Sequence, residues 1–147
     1  MIKVSKEYSM NDNQIIYEWP TDFPKGLPDN QDVIAASGEV CRLVDCIPPK
    51  DSDFKRHRDE KPDYTYNTEK KRFLSYGVSF WSSVEAAKYV KAKYPAKEQF
   101  GLKKIVSGVL IPELGVIPKK KTRDGHVTLW KQVGAEPHKH VMDEVEE

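Results

Sequence analysis

Three stretches of the chain place groups capable of chemistry among residues that otherwise belong in a core. In "VCRLVDCI" (residues 40–47), Arg42 is flanked by apolar strand residues. A guanidinium there costs desolvation unless it pairs with an acid such as Asp45, leaves an edge strand for water, or reaches an anionic ligand. In "SFWSS" (residues 79–83) a strand turns directly into a helix. The free N–H groups of a first helical turn, with the helix dipole, favour an anion such as phosphate. Ser79, Ser82 and Ser83 would add hydroxyls, and Trp81 a flat wall for a ring. The ordinary alternative is a helix cap beside a core aromatic. In "KKKTRDGHVTLW" (residues 119–130), Asp124-Gly125 marks a turn, so a basic tip leads into His126. Strand alternation puts His126, Thr128 and Trp130 on one face. The alternative there is a solvated tip followed by a sheet-surface histidine.

Other signals are weaker. His138 and His140 flank Lys139 without a third ligand nearby, so no metal site is expected. Neither common glycine-rich phosphate loop is present. Cys41 and Cys46 are five apart in one extended segment, on opposite faces of a strand, so no disulfide is expected between them.

The elements that must carry these groups read as follows. Asn13–Trp19 is a short strand, and a Pro- and Gly-rich irregular segment then runs to residue 31. Gly38 is a turn or bulge ahead of a buried strand, Val40–Ile47. Residues 50–72 are almost continuously charged and read as a solvated loop or flap, within which "DSDFKRH" could begin a short helix. Val78–Trp81 is a strand. Ser82 matches an N-cap with Glu85 three residues on, followed by a helix over Ser83–Tyr94 that Pro95 stops. Lys103–Ile111, Leu114–Pro118 and His126–Trp130 complete the strands, and residues 138–147 read as a frayed acidic tail. Five or six strands and one main helix predict a single α+β domain with a curved, mostly antiparallel sheet and the helix packed on it.

Composition bounds the rest. The 147 residues carry 24 Lys+Arg against 23 Asp+Glu, so the global balance disfavours nucleic acid and anionic membrane as partners. No run approaches the ~20 apolar residues of a membrane span, and the first residues lack the apolar stretch of a secretory signal. The expectation is a reduced, cytoplasmic protein with no membrane partner.

The segments "CRLVD", "YGVSFWSSVEAAKYV" and "KKIVSGVLIPELGVI" resemble a group of small bacterial proteins with an Arg-bearing strand, a strand–helix element and a late His–Trp strand. More loosely, their order is similar to that of ADP-ribosyltransferase-type NAD-binding domains. That resemblance implies NAD as the cofactor, Arg42 on its phosphate or ribose, and Ser79 and Trp81 on the nicotinamide side. It asks for a glutamate on a late strand, for which Glu136, just after the last strand in "GAEPH", is the candidate, with Glu113 of the "PEL" turn as the alternative. His126 and Trp130 would complete the same cleft. The expected partner is a nucleotide or another phosphate-bearing small molecule. The rival expectation is a module without catalysis that binds nucleotide, nucleic acid or a protein partner, as in a toxin–antitoxin or phage-defence pair.

Overall fold

Alternation of apolar and polar residues builds most of the architecture. The computed structural model describes residues 3–10, 13–93 and 102–147. Its strands are β1 (Lys3–Met10), β2 (Asn13–Trp19), β3 (Val33–Ala35), β4 (Gly38–Val44), β5 (Val78–Trp81), β6 (Lys104–Leu110), β7 (Gly115–Pro118), β8 (His126–Lys131) and β9 (Val141–Glu144). Three helices accompany them: α1 (His57–Glu60), α2 (Glu69–Leu74) and α3 (Val84–Lys93). Seven strands form one curled antiparallel sheet in the order β3-β7-β8-β5-β4-β6-β9, and β1 and β2 form a separate hairpin. The domain is α+β, with α3 as the main helix packed on the sheet.

One face of the sheet carries Val40, Val44, Val78, Phe80, Val106 and Leu129, with Phe54 of a 3-10 turn at Asp51–Phe54 packed against them. The other face carries two separate apolar patches. Cys41, Leu43 and Ile105 lie under Ala87 and Val90 of α3. Val116 and Trp130 lie under Tyr17, Trp19, Phe23, Leu27 and Tyr76. Between those patches runs a strip of polar side chains from paired positions of β5 and β8: Ser79 opposite Thr128, and Trp81 opposite His126. That strip has a cavity over it.

Strands β4 and β5 pair only at Cys41 opposite Trp81, although both are central to the sheet. Arg42 bridges their divergence. It is 8% exposed; its Nε donates to the Asp53 carbonyl at 2.7 Å, and Nη1 to the Ser79 carbonyl at 2.6 Å. Nη2 donates to the Lys55 carbonyl at 3.4 Å and lies 3.7 Å from Glu60 Oε1. The guanidinium also sits over the rings of Phe54 and Phe80. Neither an edge strand nor Asp45 resolves its burial: Asp45 pairs with Lys103 at 3.3 Å.

Several expectations from sequence need correction. The strand expected to reach Ile47 ends at Val44, because the Asp45 N–H donates instead to the buried Asp53 carboxylate at 2.8 Å. Ser83, and not Ser82, caps α3: its Oγ accepts from Ala86 N at 3.0 Å. The Ser82 N–H is taken by the Gly125 carbonyl at 2.7 Å. Tyr94 and Pro95 lie outside the described residues. The acidic C-terminus is a strand, β9, paired with β6; Val141 is buried while Met142, Asp143 and Glu144 face outward, which makes the segment read as a tail. The charged stretch 50–72 holds a 3-10 turn, α1 and the start of α2. Gly38 adopts φ 92°, which suits glycine at the entry to β4.

Arg42→Met keeps an apolar stem over Phe54 and Phe80 and removes every donor. Three carbonyls then lose their partner, so the variant should be destabilised by about 3 kcal/mol or more in urea or guanidinium unfolding. A loss below about 1 kcal/mol would mean that those carbonyls find other donors.

Candidate functional site

The polar strip on β5 and β8 becomes a site because the 57–66 segment and α2 close over it. The resulting cavity, about 230 Å³, is lined by His57, Tyr64, Tyr66, Lys71, Leu74, Ser75, Ser79 and His126. The sheet supplies Ser79 and His126, whose Oγ and Nε2 are 3.0 Å apart. The overlying segment supplies His57 and Tyr66, with Nδ1 and the phenol oxygen 2.6 Å apart. Tyr64 completes a cluster of rings, 5.0 Å from Tyr66 and 5.3 Å from His57 between centroids.

Each wall has its own support. Thr68 caps α2, its Oγ1 accepting from Lys71 N, and this sets Lys71 at the cavity. Trp130 is 1% exposed and donates from Nε1 to the Phe73 carbonyl at 3.0 Å, which fixes the end of α2. Arg56 holds the start of α1 through paired bonds to Asp22 and to Asp59. The β7–β8 loop turns at Gly125, φ 80°, where an added Cβ would come within 2.9 Å of Ser82 Oγ. Asp124 there accepts from Thr122 Oγ1 and from His126 N.

These surroundings tune the two imidazoles. Burial pushes the His126 pKa below its ordinary 6.5, with Asp124 pulling partly the other way. Burial also lowers His57, opposed by Glu60 and assisted by Lys61. The Asp124 carboxyl is held low by the Thr122 hydroxyl and then by the His126 backbone N–H. Both rings therefore favour the neutral form near pH 7, able to accept a proton.

Of the residues singled out in the sequence, Ser79 and His126 meet in this cavity. Trp81 does not line it, but its ring meets His126 edge-on at 5.0 Å. Arg42 lies behind the cavity with its guanidinium committed to backbone carbonyls. Trp130 is on the same face as His126 but buried beneath α2. Glu136 is exposed, ion-paired with Lys139 at 3.2 Å, and does not line the cavity. Ser82 and Ser83 do not line it either; the Ser82 N–H is used in the turn and the Ser83 hydroxyl in the cap. His57, Tyr64, Tyr66 and Lys71 were missed by sequence reading. Their signal was one histidine and two alternating tyrosines inside a run of charges.

No protein-family model, curated protein or solved structure matches this chain. Among the described residues no group of three or more His, Cys, Asp or Glu is placed to hold a metal ion. No helix among them is long and apolar enough to cross a membrane.

A depressed histidine pKa makes stability pH-dependent with a definite sign. The unfolded chain binds a proton near pH 6.5 and the native His126 only below that, so this contribution is complete above 6.5 and falls away as pH drops towards the native value. Between pH 7.5 and 5.5 the urea midpoint of the parent should fall further than that of His126→Gln. Equal falls would show that His126 titrates normally in the native protein.

Proposed function

We propose that this cavity is a nucleotide-binding site and that the chain is an NAD- or nucleotide-binding domain of ADP-ribosyltransferase-like arrangement. The observation that carries the reading is the convergence of Ser79 and His126 from adjacent strands beneath a lid of aromatic rings with Lys71 beside them. A flat ring suits Tyr64 and Tyr66, an anionic phosphate suits Lys71, and a sugar hydroxyl suits Ser79 and His126. The strand order gives further support. Arg42 and Ser79 stand on neighbouring central strands, β5 leads into α3, and the late strand β8 lies directly beside β5.

The roles differ from those that the resemblance implies. Arg42 acts by holding β5 and the 53–60 segment in place, and Glu136, paired with Lys139, is not among the residues that line the cavity. The carboxylate associated with Arg42 is Glu60. Ligand contacts pass to Lys71, Tyr64 and Tyr66.

Calorimetric titration with NAD, AMP and ATP tests the reading. At least one of the three should bind. Lys71→Ala should then weaken binding about tenfold, the effect of losing a charge-assisted contact of roughly 1.5 kcal/mol. Tyr66→Ala should weaken it as well. Failure of all three ligands to bind, or affinities unchanged in both variants, would contradict a nucleotide site here.

A further inference from the structure

We propose that the cavity is a general acid–base centre that cleaves ribonucleotide phosphodiester bonds in a polynucleotide, an inference that rests on its being a nucleotide site. It presents two imidazole–hydroxyl pairs, Ser79 with His126 on the sheet and Tyr66 with His57 on the overlying segment. Two imidazoles on different walls of one small cavity match a reaction that removes a proton on one side of phosphorus and delivers one on the other. Lys71 is placed to neutralise the non-bridging oxygens.

The step balances without an oxidant or a co-reactant. Neutral His126 takes the proton of a ribose 2′-hydroxyl, and the 2′-oxygen bonds to the adjacent phosphorus. The bond from phosphorus to the 5′-oxygen breaks, and protonated His57 gives that oxygen its proton. The products are a 2′,3′-cyclic phosphate and a free 5′-hydroxyl, and exchange with water restores both imidazoles. Burial lowers the His57 pKa, so only its protonated minority near pH 7 serves as the acid, and Glu60 on the same helix offsets part of that loss. Tyr64, Tyr66 and Ser79 adjoin the rings, and Asp124 and Lys61 are the other charges acting on them.

A separate observation points to a polymer. The β7–β8 loop carries Lys119, Lys120, Lys121 and Arg123, all exposed, and runs directly into His126. The Thr122 hydroxyl, which donates to Asp124 at 2.7 Å, also lies 3.0 Å from the His126 carbonyl, which keeps the loop against the cavity edge. A single nucleotide has no use for four further cations, whereas phosphates flanking a scissile bond do. The near-zero net charge conceals this local concentration.

The trial uses the full chain, in the presence of EDTA, with a labelled RNA oligonucleotide, its all-deoxy counterpart and a deoxy strand carrying one ribose. Cleavage is expected in the RNA and at the single ribose, with a cyclic phosphate identified by mass. His126→Asn and His57→Asn should each slow it by about 100-fold or more, and Tyr66→Phe, which preserves packing, should slow it less. Joint replacement of Lys119, Lys120 and Lys121 by Ala should raise KM for the oligonucleotide and leave a ribodinucleotide substrate unaffected. Cleavage of the all-deoxy strand at an equal rate, or activity that survives both histidine replacements, would overturn the proposal. So would an inert protein that still binds AMP, and that outcome would leave the nucleotide site standing. An inert protein that binds no nucleotide would overturn both.

Discussion

A buried guanidinium placed where two central strands part company organises this protein. The β4–β5 ladder consists of one residue pair, and beyond it the backbone of β5 would leave the Ser79 carbonyl without a donor. Arg42 supplies that donor. The same group satisfies Asp53 and Lys55, so one side chain ties the sheet to the segment that crosses it. Burial pulls its pKa down while Glu60 and then Asp53 push it back up. A planar, multiply donating cation suits this position in a way that a lysine, with a single charged nitrogen, does not.

The site follows from that bridge. Arg42 holds residues 53–60 against the sheet, α1 begins at His57, and His57 then reaches the cavity that Ser79 and His126 floor. The α2 wall is set independently by the Thr68 cap and the Trp130 indole. Precision at the cavity thus comes from groups that do not line it. Residues held in this way by packed neighbours are suited to positioning a reacting group, and the lowered pKa values of the two histidines fit such a role.

Much of the architecture could be read from alternation alone. Strands β2, β4, β5, β6, β7 and β8 and helix α3 are legible because their inward positions are apolar and their ends carry Gly, Pro or Ser. The remaining strands are not, for identifiable reasons. In β9 only Val141 faces inward, so three outward residues dominate the pattern. β3 has three residues and β1 is largely polar. The site was half legible. Ser79 and His126 stood out as polar groups on apolar strands, and their partnership follows from cross-strand pairing that sequence does not reveal. His57, Tyr64, Tyr66 and Lys71 lie in a charged stretch whose order depends on Arg42, Arg56 and Thr68, contacts made across long separations or at a cap. Arg42 itself was correctly singled out as unusual, and its partners proved to be backbone carbonyls with Glu60 beside them.

The dependence of the cavity on Arg42 can be measured through the His57 ring, by recording imidazole nitrogen shifts against pH in the parent and in Arg42→Lys. In the parent, His57 should titrate below the ordinary 6.5, as burial against the tyrosines requires. In the variant, loosening of the 53–60 segment should return it towards 6.5. A His57 that titrates normally in the parent, or one that Arg42→Lys leaves unmoved, would contradict the role assigned to Arg42.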